Sequence, residues 1–108
     1  MYKQVSEDGN GALYIEFIAK AQGNEIRVIR LHIDGDGAGS EAGDIRIYIL
    51  SALGNAYNFL YYQRSLSNKT DFSYGDGTEL ISLSNGDKLI IEWPNNNSAD
   101  WAIEMLYA

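Results

Sequence analysis

The loop from Asp34 to Asp44 holds the side chains with the clearest potential for chemistry, because its carboxylates are oxygen donors of the kind that calcium prefers. The candidate ligands in this loop are Asp34, Asp36, Glu41 and Asp44. An EF-hand loop needs a further oxygen ligand at its fifth position and a glutamate at its twelfth, where this chain has Ala38 and Ile45. We therefore predict a solvated glycine-rich connection, with a weak calcium site as the alternative, and expect no cofactor.

Residues suited to catalysis are few. His32 is the single histidine and cysteine is absent, which excludes a multi-histidine metal site, a thiolate zinc site and a cysteine nucleophile. Glu16, Glu92 and Glu104 stand at outward positions of different predicted strands, and two carboxylates that converged could act as an acid and base in glycoside hydrolysis. We interpret these glutamates as a charged solvent-facing side and His32 as an ordinary strand residue. We expect no enzymatic activity.

Tyrosine is the residue type that most favours a binding function. We expect several tyrosines outside the core, namely Tyr2, Tyr14, Tyr48, Tyr62 and Tyr74. Tyrosine offers a large contact area at a small entropic cost and is enriched in protein interfaces, so protein contact is the favoured use. Packing at the rim of the core and stacking on sugar rings are the two alternatives.

Length and composition predict one independent domain, residues 1–108, in which 45% hydrophobic residues can build a core. The net charge of −7, from 15 acidic and 8 basic residues, repels phosphate backbones and anionic lipid surfaces. The first residues lack the apolar core of a signal peptide, and no window approaches a membrane span. We predict no nucleic-acid partner, no membrane partner and no export of the Sec type.

Alternation of apolar and polar residues indicates β-strands throughout the chain. The predicted strands are Leu13–Ala19, Glu25–Asp34 with a bulge near Val28-Ile29, Asp44–Ser51, Tyr57–Tyr62, Glu79–Leu83, Asp87–Trp93 and Trp101–Tyr107. Gly54-Asn55 and Asn85-Gly86 are predicted tight turns, and the last two strands are predicted to form a β-hairpin or a near equivalent of one, with Trp93 and Trp101 buried. About seven to nine short strands favour an all-β fold, an antiparallel β-sandwich of jelly-roll or immunoglobulin-like type.

The first eight residues precede the predicted core, which begins near Leu13. The segment Tyr2 to Val5 is short enough to add to the sheet of a neighbouring subunit, as edge strands do. We therefore predict that residues 1–8 form a docking arm.

Five segments follow one another in a fixed order: RVIRLHI at residues 27–33, a Gly/Ala-rich loop, DIRIYILSALGNAY at 44–57, LISL at 80–83 and GDKLIIEWPN at 86–95. This order of motifs resembles that of small all-β virion proteins of tailed bacteriophages. It implies a capsid decoration, cement or fibre-anchoring component without enzymatic activity, made in the host cytoplasm and localised to the virion. The implied partners are the major capsid protein or another virion protein and further copies of the chain as a homo-oligomer.

The alternative function is that of a carbohydrate-binding β-sandwich module. Several aromatic rings exposed on one sheet face would favour sugar, whereas aromatic rings spread over edges and loops would favour protein.

Overall fold

The computed structural model describes residues 3–20, 23–75 and 81–108. In these residues the chain forms an antiparallel β-sandwich of two packed sheets, which confirms the predicted fold class. The described strands are β1 (Lys3–Gly9), β2 (Leu13–Ile18), β3 (Asn24–Ile33), β4 (Asp44–Leu50), β5 (Phe59–Ser65), β6 (Asp71–Tyr74), β7 (Ile81–Leu83), β8 (Lys88–Trp93) and β9 (Trp101–Tyr107). A short 3-10 turn, Asn55–Tyr57, precedes β5. Within the described ranges, no helix has the length and apolar character needed to cross a membrane.

Hydrogen bonding divides the strands into two sheets. Sheet I has the order β1-β9-β3-β6, with β7 also paired to β3, and sheet II has the order β2-β8-β4-β5. β6 lies opposite Ile29 to His32 of β3, and β7 lies opposite Asn24 to Ile26 of the same strand. β6 and β7 therefore follow each other along one side of β3 and occupy a single strand position in the sheet.

The pairing pattern is that of a jelly roll. The chain forms four antiparallel strand pairs, each enclosed in sequence by the next: β4 with β5, β3 with β6, β2 with β8 and β1 with β9. Together they correspond to one long hairpin. Folding this hairpin over itself brings β9 beside β3 and β8 beside β4, which joins alternate pairs into two sheets. The strand order thus selects the jelly roll from the two predicted types of sandwich.

The predicted hairpin of the last two strands is wrong. β8 lies in sheet II and β9 lies in sheet I, so the two strands face each other across the core instead of pairing. Both strands nevertheless bury the expected side chains, with Trp93 and Trp101 at 0% and 6% exposure. Alternation specifies which face of a strand is buried, but it carries no information on which strand is its neighbour.

The two predicted turns differ in outcome. Gly54-Asn55 lies in the connection between the paired strands β4 and β5, but the predicted tight turn is wrong, because the connection runs over residues 51–58 and contains the 3-10 turn Asn55–Tyr57. Asn85-Gly86 connects β7 of sheet I to β8 of sheet II, so it crosses between the sheets. A short polar turn is compatible with either connection, because both reverse the direction of the chain.

Three strand predictions need correction in detail. The irregularity in β3 falls between Ile26 and Val28, one to two residues before the predicted bulge. Tyr57 belongs to the 3-10 turn, and the strand predicted from Tyr57 begins at Phe59. β6 was not predicted, although it buries Phe72. Glu79 lies outside the described residues.

The core begins at Leu13, as expected, and draws on both sheets. β1 contributes no fully buried side chain, and its partly buried Val5 packs against the core from the edge. Residues 3–8 of the predicted docking arm belong to β1 and pair with β9 of the same chain. Docking of this segment on another subunit remains a prediction.

Candidate functional site

The largest concentration of exposed apolar side chains lies on the β4–β5 hairpin. Its members, which we call the hairpin patch, are Leu53, Tyr57, Phe59, Leu60 and Tyr61, with exposures of 77%, 60%, 51%, 44% and 36%. Scattered exposed apolar residues are normal, but five of them within nine residues of one hairpin are a concentration that is typical of an interaction surface. The hairpin patch is therefore the leading candidate for a binding site.

The sequence of β5 explains why the patch is exposed. Phe59, Leu60, Tyr61 and Tyr62 are consecutive, so apolar side chains point to both sides of the strand. β5 is the outermost described strand of sheet II, and every position except Tyr62 is exposed. A register shift places Ile47 opposite Tyr62 and Tyr48 opposite Leu60, which leaves Tyr61 as a bulge.

A chain of aromatic contacts holds the patch in place. Ring centroids are 6.1 Å apart for Phe59 and Tyr61 and 6.0 Å apart for Tyr61 and Tyr74. They are 5.1 Å apart for Tyr74 and Tyr62 and 5.9 Å apart for Tyr62 and Phe72. These separations are typical of stabilising aromatic pairs, and they run from β5 of sheet II to the buried Phe72 of sheet I. The outer rings are therefore supported by the core.

The patch also differs in charge from the rest of the protein. No Asp or Glu occurs between Asp44 and Asp71, a segment that contains β4, the hairpin and β5, although the whole chain has a net charge of −7. The charged residues within this segment are basic: Arg46, Arg64 and Lys69. Depletion of carboxylates is typical of the centre of protein interfaces. This signal is visible in the sequence and could have identified the patch.

The outer face of sheet I forms a second, polar surface, a groove with a volume of 920 Å³. Strand register aligns Ser6, Glu104, Arg30 and Ser73 across four strands. Arg30 Nη1 donates to Glu104 Oε1 at 3.0 Å, and Gln4 Nε2 donates to Glu104 Oε2 at 3.2 Å. Both oxygens of the Glu104 carboxylate thus have a hydrogen-bond donor within the sheet.

His32 and Asp71 form the next row of the groove. His32 Nδ1 lies 2.9 Å from Asp71 Oδ1, and the Thr70 hydroxyl donates to Asp71 Oδ2 at 3.1 Å. The His32 hydrogen bond, followed by that of Thr70, lowers the pKa of Asp71. Among the described residues, the hydrogen bonds of this row bring no hydroxyl to His32, so the geometry is that of an exposed hydrogen-bonded pair instead of an activated nucleophile.

The glutamates considered as an acid and base pair do not converge as a group. Glu16 and Glu92 lie on adjacent strands of sheet II, whereas Glu104 lies on sheet I. Glu16 Oε1 forms an ion pair with Lys88 Nζ at 3.4 Å, and Glu104 Oε1 forms an ion pair with Arg30 Nη1 at 3.0 Å. Each of these two carboxylates therefore has a structural partner on its own sheet.

The five predicted interface tyrosines do not share one surface. Tyr14 is 56% exposed on β2, at the opposite side of sheet II from β5. Tyr62 and Tyr74 are partly buried and pack against the core within the aromatic chain. Tyr48 is partly buried and lies opposite Leu60 of the hairpin patch. Tyr2 lies outside the described residues.

The loop from Asp34 to Asp44 is held by the turn that follows β8. Asn97 Nδ2 donates to the carbonyls of Ala38 and Ser40 at 2.9 and 2.8 Å, and Asn96 Nδ2 donates to the Glu41 carbonyl at 3.0 Å. In the described ranges, no group of three or more His, Cys, Asp or Glu side chains is arranged to hold a metal ion. The candidate ligands Asp34, Asp36, Glu41 and Asp44 thus lie on an ordered loop without forming such a group.

Asn95 is a structural residue that sequence reasoning missed. It is 3% exposed, and its Nδ2 lies near the carbonyl oxygens of Asn10, Gly11 and Ala99 at 3.2, 2.9 and 2.9 Å. Its Oδ1 accepts the Ala99 N–H at 3.0 Å. The side chain joins the β1–β2 loop to the β8–β9 loop at one end of the sandwich.

Comparison of the chain with models of known protein families and with curated proteins found no match.

Proposed function

We propose that this protein is a non-enzymatic structural component of a bacteriophage virion, a decoration, cement or fibre-anchoring subunit that acts through protein contacts. The observation that carries the proposal is the hairpin patch, an exposed apolar surface on an otherwise acidic protein. The order of sequence motifs supports the virion assignment.

The energetics of the patch favour a protein partner. Complete burial of a fully exposed large apolar side chain contributes about 1.5 to 3 kcal/mol. The patch residues are 36% to 77% exposed, so each would contribute part of this amount against the roughly 4 to 15 kcal/mol that association costs in lost freedom of motion. Because Phe59 and Tyr61 are already held by neighbouring rings, little additional ordering is needed when a partner binds. A pre-organised apolar surface of this kind suits a stable assembly contact.

The groove of sheet I is the observation that favours the second candidate, a carbohydrate-binding module. Its planar polar groups, including Arg30, Glu104 and His32, suit hydroxyl recognition. The aromatic residue of its lining is Phe72, which is 3% exposed and offers no ring face for stacking. The exposed rings lie instead on the hairpin and on strands at the sheet edges, the distribution expected for protein contact.

The proposal can be tested on bacteriophage particles whose genome encodes this chain. Quantitative mass spectrometry of particles banded in a density gradient should find many copies of this chain per particle. Purified wild-type protein should rebind to particles that lack it, whereas the double variant Leu53→Lys/Leu60→Arg should bind at least tenfold more weakly, because charge is placed in the patch.

The matched control is Ile18→Arg, at a residue of 51% exposure on the opposite edge of the same sheet. It should rebind like wild type. Absence from the particles, or full rebinding of the double variant, would contradict the proposal. Glycan binding that Arg30→Ala abolishes, in a protein absent from particles, would support the carbohydrate module.

A further inference from the structure

We propose that a second copy of this chain binds along β5, so that two sandwiches join edge to edge through antiparallel β5 strands. This inference rests on the proposed function, in which the hairpin patch binds protein, and it names the partner of the strand part of that patch. The tip of the hairpin, with Leu53 and Tyr57, remains available for another virion protein.

The four outermost strand positions of the sandwich differ in charge. β1 carries Glu7 and Asp8, β2 carries Glu16 and β6 carries Asp71, but β5 carries no acidic residue. Like charges placed opposite each other across a strand pair are destabilising. For two copies of a chain with a net charge of −7, β5 is therefore, apart from the three-residue β7, the described edge strand at which pairing opposes no carboxylate to another.

The apolar run at residues 59–62 gives the pairing its register. A two-fold axis perpendicular to the sheet makes the two β5 strands antiparallel, and centring it on this run packs the apolar run of one copy against that of the other. Arg64 of each copy then lies toward opposite ends of the pair, roughly 23 Å apart at about 3.3 Å per residue. This separation exceeds the screening length of about 8 to 10 Å at physiological salt, so the two guanidinium groups repel little.

β5 has little protection against such pairing. Sheet edges are commonly protected by Lys, by Pro or by a bulge, and β5 contains neither Lys nor Pro. Its bulge falls at Tyr61, but Phe59 and Leu60 stay in the strand with 51% and 44% exposure. An edge with exposed apolar side chains on both sides of the strand is expected to be covered in the assembled protein.

Sedimentation velocity over a range of concentrations tests the dimer. Wild-type protein and the control Ile18→Arg should dimerise, and Leu60→Arg should raise the dissociation constant at least tenfold, because a two-fold contact contains each substitution twice. Leu60→Ser serves as a milder variant, and circular dichroism verifies that all variants are folded. A wild-type protein that is monomeric at every concentration, or a Leu60→Arg variant that dimerises like wild type, would overturn the proposal.

Hydrogen exchange tests whether the contact is strand pairing. Amides of residues 59–65 that point away from β4 should exchange more slowly at concentrations where the dimer forms, while those of residues 13–18 on the opposite edge should not change. Dimerisation without added protection in β5 would refute the edge-to-edge arrangement.

The two assays separate this inference from the proposed function. If the protein is monomeric but still binds particles through its patch, the β5 dimer is refuted and the proposed function stands. A protein that dimerises through β5 but is absent from particles would remove the virion function and leave the dimer.

Discussion

Replacing Asn95 with Asp is expected to lower the free energy of unfolding by about 3 to 5 kcal/mol at pH 7. Asn95 is 3% exposed, and its amide nitrogen faces three carbonyl oxygens, those of Asn10, Gly11 and Ala99. Aspartate has nearly the same shape, so the change creates no cavity. It replaces a donor by a negatively charged acceptor.

The magnitude follows from the groups left without a partner. The amide has two N–H donors, and a buried polar group that loses its hydrogen bond costs about 1 to 3 kcal/mol. A buried carboxylate oxygen that faces carbonyl oxygens adds a desolvation and repulsion cost. The bond from the Ala99 N–H to Oδ1 at 3.0 Å can persist in the variant, which limits the total.

The loss should depend on pH. Burial and the surrounding carbonyl oxygens raise the pKa of the new carboxyl group in the folded state, so the variant binds its proton more tightly when folded than when unfolded. The part of the destabilisation that comes from ionisation is then absent below the unfolded pKa of about 3.9 and grows as the pH rises through the folded pKa. The difference in stability between wild type and the Asn95→Asp variant should therefore narrow from pH 7 toward pH 4.5.

Urea unfolding followed by the fluorescence of Trp93 and Trp101, both buried, measures these differences. The control is Asn68→Asp, because Asn68 also has a positive φ, 59° against 50° for Asn95, but is exposed. It should change stability by no more than about 0.5 kcal/mol. An Asn95→Asp loss below about 1 kcal/mol, or a loss independent of pH, would refute the structural role assigned to the amide.

Three further changes have defined outcomes. Trp93→Ala should lower the free energy of unfolding by about 3 to 5 kcal/mol in urea titrations. The substitution leaves a cavity and removes the hydrogen bond from Trp93 Nε1 to the Ala42 carbonyl at 3.0 Å. A loss under about 1 kcal/mol would place the ring outside the core. His32→Ala should raise the pKa of Asp71 toward its ordinary value in an NMR titration. The stability that this lowered pKa contributes is present above the pKa of Asp71 in the unfolded chain and is lost as the pH falls through its pKa in the folded protein. An Asp71 titration that is unchanged in the His32→Ala variant would contradict this. Deleting residues 1–8 should leave a folded protein, because β1 buries no side chain completely, and it should weaken assembly more than folding. Circular dichroism measures the effect on folding, and particle rebinding measures the effect on assembly. Full rebinding of the truncated protein would show that the segment takes no part in docking.

Local alternation was sufficient to predict most strands and their buried faces. Ile45, Ile47 and Ile49 alternate with polar residues and are all buried in β4, as the pattern indicated. The same holds for Trp93 and Trp101 at the end of the chain. Period-two patterns are a local property of each strand, so they can be read without knowledge of the fold.

The hairpin patch was only partly predictable. One strand was predicted over Tyr57–Tyr62, but in the structure Tyr57 belongs to the 3-10 turn and Tyr61 is a bulge. Four consecutive apolar residues and the absence of acids between Asp44 and Asp71 were visible in the sequence. Their exposure follows from the outermost position of β5, which depends on the order of strands in sheet II.

The sequence by itself determined an acidic all-β chain, the buried face of most strands and the scarcity of catalytic side chains. Only the tertiary structure decided that β8 and β9 lie in different sheets, that Asn95 joins two loops and that β5 is left at an edge. The physical reason is that strand partners are selected by contacts between residues distant in sequence. In a jelly roll these contacts depend on how the whole hairpin folds over itself, and local sequence patterns contain no information about that folding.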